Sequence, residues 1–225
     1  ERMERLAGGQ HGVLAVGFTS SAAAHAFTPE VLRACRGQHP GIALSLSENN
    51  AAELIEAVAK GRLHCGFLRV PVAQPEGLGF ETLFSEPALL ALPLDHRLAQ
   101  QPRAASRRVA LAELEGEDLI LVRRPGAPGL YANLLALCAS EGIKPRSTLE
   151  VDRMMMNLNL VAAGAGISVV PASMSSVHGH SIVYRPLPKN ALLEAPLTLV
   201  YRSADQQGAM ATFLALARQI ASTYA

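Results

Sequence analysis

Thr19, Ser20 and Ser21 stand where an apolar run, GVLAVGF, breaks and an alanine-rich stretch begins. A hydroxyl at a strand-to-helix junction can cap the helix, attack a substrate or donate to an anion. The nucleophile is the weakest of the three, because the stretch lacks the G-x-S-x-G turn that presents a catalytic serine. Cap and anion site both stay open, since a helix start carries unsatisfied N–H groups and partial positive charge. A second junction, SENNAAEL, places Asn49 and Asn50 where they can cap a helix or turn their amides to a ligand. A third, VRRPGAPGLY, puts Arg123 and Arg124 after a strand, with Pro125, Gly126, Pro128 and Gly129 shaping the loop. Guanidinium groups match carboxylates in a planar fork, although solvated loop charge is the plain alternative. Together the junctions carry hydroxyl, amide and guanidinium donors and little acid, which suits a small anion better than a cation.

Other motifs point to structure. VAAGAGISVVP lacks the third glycine of a dinucleotide loop and follows a helix, so it is expected to be a tight helix-to-strand turn. His178 and His180 have no Cys or acid partners at metal-ligand spacing, and no metal or cofactor is expected. Met154, Met155 and Met156 open a helix and are expected to line a core or a cleft wall. Cys35, Cys65 and Cys138 are odd in number and widely spaced, which favours buried thiols and a reduced, cytoplasmic setting over a disulfide framework.

The elements that must position these junctions repeat. VLAVGF, a TSSAA loop, AFTPEVLRACRGQ, IALSLSE, NAAELIEAVAKG and LHCGFL read as βαβαβ. DLILV, RRPGAPG, LYANLLALCASEG, STLEV, RMMMNLNLVAAG and GISVVP repeat that layout about 100 residues on. Gly37 and Gly142 are expected to close the first helix of each half, and Gly61 and Gly164 the second. A closing strand, PLTLVYR, and a helix with Met210, Phe213, Leu214 and Ala217 at helical spacing are assigned to the first half. The chain would then cross between two α/β lobes twice. Lobe I is expected over 12–85 and 196–225 and lobe II over 86–195, with 1–11 outside both.

Composition limits the function classes. Of 225 residues, 49% are hydrophobic and 17% charged, enough for a sizeable core. The net charge is +1 and no cationic stripe interleaves with aromatics, which argues against direct nucleic-acid binding by this chain. No apolar run is long enough to suggest a membrane span. The opening ERMERLAGGQHG is charged and lacks the pattern of a secretory signal.

The order and spacing of VGFTSSAA, HPGIALSLSENNAAELIEAVAKGRLHCGFLRV, LALPLDHRLA and LVAAGAGISVVPAS resemble the effector-binding domain of LysR-type transcriptional regulators. GRLHCGFLR and VAAGAGISVVPAS look most like the branch that regulates aromatic and muconate catabolism. The resemblance implies two Rossmann-like lobes of the type 2 periplasmic-binding-protein kind with an effector cleft between them. It also implies homodimers or homotetramers, a cytoplasmic setting, and DNA binding through a separate N-terminal domain, of whose linker helix residues 1–11 look like the tail. No catalytic residue is implied.

Carried over residue by residue, Ser21 falls where the family binds the effector carboxylate, with Thr19 and Ser20 beside it. Ala51 stands where many members have a second hydroxyl, so Asn49 or Asn50 is expected to replace that contact. Pro128, Gly129 and Leu130 match the cleft-lining loop, and Phe67, Arg123 and Met154 complete the expected effector set. Arg69 matches an arginine near a secondary pocket, but its basic partner is replaced by Phe84. His64 stands where the family usually has Asp. The expected ligand is a small organic anion, an aromatic acid or a dicarboxylate. A periplasmic solute-binding protein for a small anion is the alternative reading.

Overall fold

Strand β1 (Gly12–Phe18) alternates its side chains as an inner strand must. Leu14, Val16 and Phe18 enter one hydrophobic cluster, and Ala15 packs against another. One face of β1 is thus fully covered and the other is covered from Ala15 onward, with Val13 exposed, and its parallel neighbours are β2 (Ile42–Glu48) and β3 (Cys65–Leu68). β9 (Glu194–Arg202) pairs antiparallel with β3, and β4 (Leu78–Pro93) comes next in the order β2-β1-β3-β9-β4. Helices α2 (Phe27–Gln38) and α6 (Gly208–Ala221) close one face, where Phe27, Val31, Phe213 and Leu214 meet Val16. Helix α3 (Ala51–Ala59) closes the other with Leu54 and Val58. The computed structural model describes residues 11–70, 73–100, 108–122 and 128–224. These helices, β1–β3, β4 up to Ser85 and β9 from Pro196 belong to the first of two compact units.

The second unit, Glu86–Ala195, repeats the layout. β5 (Asp118–Val122) pairs in parallel with β6 (Ser147–Val151). β7 (Ser168–Pro171) and β8 (Ile182–Pro186) both pair antiparallel with β4. Helix α4 (Leu130–Ser140) packs Leu134 and Cys138 on Leu119 and Leu121. Helix α5 (Met154–Ala162) packs Leu158 and Val161 on Ile120 and Val170. The chain passes from the first unit to the second within β4 and returns within β9.

Two local expectations change. TSSAA is not simply a loop: Ser20–Ala23 form a one-turn helix, α1, closed by Ala23 N–H to the Thr19 carbonyl at 2.9 Å. Gly37 does not supply a left-handed cap: α2 runs through it to Gln38, where the segment AFTPEVLRACRGQ also ends. Gly142, Gly61 and Gly164 do adopt the left-handed conformation, with φ of 72°, 73° and 77°. The three cysteines are free and buried, and burial pushes their thiols up, most strongly at Cys65. Residues 1–10 of the expected linker tail lie outside the described residues.

Candidate functional site

The end of β1 lies between the ends of β2 and β3 because β1 pairs in parallel with both, Phe18 opposite Glu48 and Phe67. Parallel strands end together, so the residues that follow each one collect at one corner. Asn49 N–H donates to the Phe18 carbonyl at 2.9 Å, and Thr19 N–H to the Phe67 carbonyl at 3.0 Å. The corner thus joins Thr19, Ser20 and Ser21 with Asn49, Asn50 and Arg69, all in the first unit.

Each side chain there has a distinct hydrogen-bond account. Thr19 does not cap α1, and among the described residues its buried Oγ1 has no hydrogen-bond partner. Ser20 donates its hydroxyl to Glu48 Oε1 at 2.6 Å, so its proton is already committed. Glu48 brings an acid to a corner that the sequence reading took to carry little. Ser21 is 5% exposed. Its Oγ accepts from Arg69 Nε at 3.3 Å, and its carbonyl accepts from Arg69 Nη2 at 2.6 Å. Asn49 Oδ1 accepts from Ser47 Oγ at 2.9 Å. Asn50 is a true cap: its Oδ1 accepts from Glu53 N–H, and the Glu53 carboxylate accepts from Asn50 N–H, both at 2.9 Å.

A pattern follows from the donor and acceptor inventory of these groups. Internal donors occupy acceptor oxygens on Ser21, Asn49 and Asn50. Among the described residues no hydrogen bond uses the hydroxyl protons of Thr19 and Ser21 or the amide NH2 groups of the half-buried Asn49 and Asn50, and of these groups the Thr19 hydroxyl is buried without a partner. The corner is donor-rich by subtraction. The turn α1 is too short to add the axial dipole of a longer helix start.

The remaining expected residues sit elsewhere. Phe67 is fully buried, stacked on Phe18 at 5.2 Å and edge-on to Phe27 at 5.3 Å, so its ring belongs to the core. Ala51 opens α3, half-buried and without a hydroxyl. Phe84 is buried with its ring 4.8 Å from His25 and 5.1 Å from Tyr224, so the position supplies packing and no cation. In the second unit Pro128 is exposed, and Gly129 precedes α4 with φ 115°. Leu130 and Met154 are buried in separate hydrophobic clusters. Arg123 lies outside the described residues. Sequence reasoning matched Arg69 to an arginine near a secondary pocket, set that pocket aside because of Phe84, and did not foresee the contact with Ser21. The signal was available in the parallel β1–β3 order, which brings the residue after β3 beside the residues after β1.

The chain matches the family model of the LysR substrate-binding domain over residues 7–222. It is 29% identical over 214 residues to the transcriptional regulator AlsR of Bacillus subtilis, covering 95% of this chain and 68% of AlsR. It is 35% identical over 186 residues to the transcriptional regulator YnfL of Escherichia coli, covering 83% of this chain and 61% of YnfL. Among solved structures it is similar to the effector-binding domain of BenM with its effector benzoate, at 26% identity and a TM-score of 0.76. That likeness covers 94% of this chain and 92% of the BenM domain. The two α/β units are thus the type 2 periplasmic-binding-protein-like fold of LysR effector-binding domains, and the relatives are regulators, not enzymes. The solute-transport reading gains no support from these relatives. The chain belongs to the LysR substrate-binding-domain family, as the effector-binding domain of a LysR-type transcriptional regulator.

Proposed function

We propose that this domain senses a small organic anion, an aromatic acid or a dicarboxylate, and that the Ser21 corner holds its carboxylate. One observation carries the reading: acceptors of Ser21, Asn49 and Asn50 are occupied from within, while their donors and the Thr19 hydroxyl are left over. An unpaired buried donor such as the Thr19 hydroxyl is costly, and a carboxylate can accept from it together with Ser21 and the half-buried Asn49 and Asn50 amides. The benzoate bound by the BenM domain supports the aromatic choice. Arg123 supplies a guanidinium in this proposal, and Asn49 stands in for the hydroxyl missing at Ala51. Effector binding would shift the subunit arrangement of a cytoplasmic homodimer or homotetramer, and so the DNA contacts of a separate N-terminal domain.

A thermal-shift panel of benzoate, muconate and short dicarboxylates, each beside its amide, tests the reading. The acids raise the melting temperature and the amides do not. One hydrogen bond to a charged group is worth about 1.5–3 kcal/mol, so Ser21→Ala weakens the best acid by about tenfold or more in calorimetry. Unchanged affinity in that variant removes Ser21 from the site.

A further inference from the structure

We infer that Arg69 is the positioning residue of this corner: it fixes Ser21 as an obligate hydrogen-bond donor and gives the corner its preference for anions over neutral ligands of the same shape. The inference rests on the anion reading of the Ser21 corner and names the group that enforces it. Two bonds run from one guanidinium to one residue, Nε to Ser21 Oγ at 3.3 Å and Nη2 to the Ser21 carbonyl at 2.6 Å. A serine hydroxyl has one proton and two lone pairs. With a guanidinium N–H on the oxygen, the hydroxyl proton turns away from the cation and toward whatever occupies the corner. A charged donor on the oxygen also polarises the O–H bond, so the hydroxyl donates more strongly.

Arg69 is itself held in place. Thr198, 3% exposed, donates its hydroxyl to the Arg69 carbonyl at 2.8 Å. Thr198 lies opposite Leu68 in the β3–β9 ladder, so the backbone that carries the arginine is part of the sheet. The planar fork explains why arginine suits the position. Its Nε and Nη2 point to one side and can serve a side-chain and a main-chain acceptor of the same residue, whereas a lysine ammonium is a single point of donation. The positive charge sits on a half-buried side chain behind a nearly buried hydroxyl, so water screens it only in part. An anion accepted by Ser21 feels that charge, and a neutral isostere does not.

The test is an amide-shift NMR titration of the isotope-labelled domain with acetate and, separately, with acetamide. Wild type is compared with Arg69→Gln, Arg69→Lys, Ser21→Ala and the Arg69→Gln/Ser21→Ala double variant. Wild type binds acetate in preference to acetamide, read at the Thr19, Ser21 and Ala22 amides. Arg69→Gln weakens acetate by about tenfold, one charge-assisted bond's worth, and leaves acetamide unchanged. Arg69→Lys keeps part of the preference for acetate. On the Ser21→Ala background the glutamine substitution adds less than about twofold, because the two residues act through one contact. A well-folded Arg69→Gln that keeps the wild-type ratio of acetate to acetamide binding overturns the positioning role and leaves the anion corner standing. If Arg69→Gln does not fold, Arg69→Lys carries the test, and a lysine variant equal to wild type with both probes overturns the fork. Wild-type resonances that ignore acetate overturn the anion corner and this inference with it.

Discussion

Leu54 and Asn157 are the fourth residues of α3 and α5, two helices of nine residues each that follow the second strand of their units. The register beneath them also matches. Val16 pairs with Cys65 in the first unit, and Leu119 bridges to Ile167 in the second. One step on, the first unit has Gly17 opposite Gly66, and the second has Ile120 and Ser168. The two solutions to the same contact differ in kind. Leu54 lies directly on the glycines: a Cβ on Gly66 would meet its Cδ2 at 2.6 Å. Asn157 is fully buried and donates to Ser168 Oγ at 2.8 Å, and that hydroxyl donates to the Ile120 carbonyl at 2.7 Å. The first unit closes by apolar contact and the second by a hydrogen-bonded chain. β1 and β3 pair over Val16, Gly17 and Phe18, while β5 and β7 share an isolated bridge at Leu119. Where the ladder stops, the Ile120 carbonyl takes a side-chain donor instead.

Exchanging the two solutions breaks the comparison most sharply. Leu54→Asn loses a fully buried leucine and places an amide over glycines that offer no side-chain partner. The cost is about 4 kcal/mol, a cavity-type loss plus an unsatisfied polar group, read as a drop in urea midpoint. The reciprocal Asn157→Leu is close in volume. It removes the Nδ2 bond, but it also removes Oδ1, which has no partner among the described residues. That variant changes stability by less than about 1 kcal/mol. Equal costs for the two variants would sink the distinction.

Gly66→Ala ranks next. The added methyl meets three Leu54 atoms between 2.6 and 2.9 Å, all on a side chain that is itself fully buried. Overpacking of this kind costs about 1–3 kcal/mol, and Leu54→Ala on the same chain should recover part of the loss. Hydrogen exchange at the β1 and β3 amides reads the effect in the unit concerned. No recovery in the double variant would mean that the clash is not with Leu54.

The repeat was legible in the sequence because its markers are local. Gly61 and Gly164 close helices, Asn50 caps one, and the strands carry apolar runs of the right length. The close approach of Leu54 to Gly66 was not legible, because it depends on how far a helix sits from a sheet. Only the assembled unit sets that distance. The candidate site divides the same way. Hydroxyls and amides at strand ends could be read from the chain, and a capping role for Asn50 was one of the readings. Which lone pairs are already occupied could not, since Arg69 reaches Ser21 across 48 positions in sequence. Phe67 was expected in the effector set, but its position in the strand alternation turns its ring into the core.

One residue before the matched pairs, the two units differ again. His64 N–H donates to the Ala15 carbonyl at 2.8 Å, and the His64 ring accepts from Ala15 N–H through Nδ1 at 2.9 Å. The ring therefore carries its proton on Nε2 and finishes the ladder as a side-chain acceptor. The matching pair in the second unit is Gly166 and Asp118, where a Cβ on the glycine would meet the Asp118 carbonyl at 2.6 Å. No side chain can turn back there. The resemblance places an Asp at this position, and Asp like His can accept from a backbone N–H. His64→Ala costs about 1 kcal/mol and His64→Asp about half that or less, measured by chemical denaturation. A costlier aspartate than alanine would show that the ring serves some purpose besides accepting.

Asp118 offers the smallest test, and it again separates the units, because its counterpart Ala15 has nothing to titrate. Hydrogen bonds from Arg146 and Ser147 hold the Asp118 carboxyl down to about 2. A carboxylate whose folded pKa is depressed adds stability that is complete above its unfolded pKa. That contribution disappears as the pH falls from the ordinary carboxylate range through about 2. Arg146→Ala removes the strongest of these hydrogen bonds and returns Asp118 toward ordinary acidity, so the second unit should lose this part of its acid sensitivity. Carbon-detected NMR of the Asp118 carboxyl reads the midpoint directly. The amide shifts around Ala15 and His64, in the first unit, serve as the internal comparison, and they should be the same with and without Arg146. A midpoint that stays near 2 in the variant would assign the depression to Ser147 instead, which Ser147→Ala would then release.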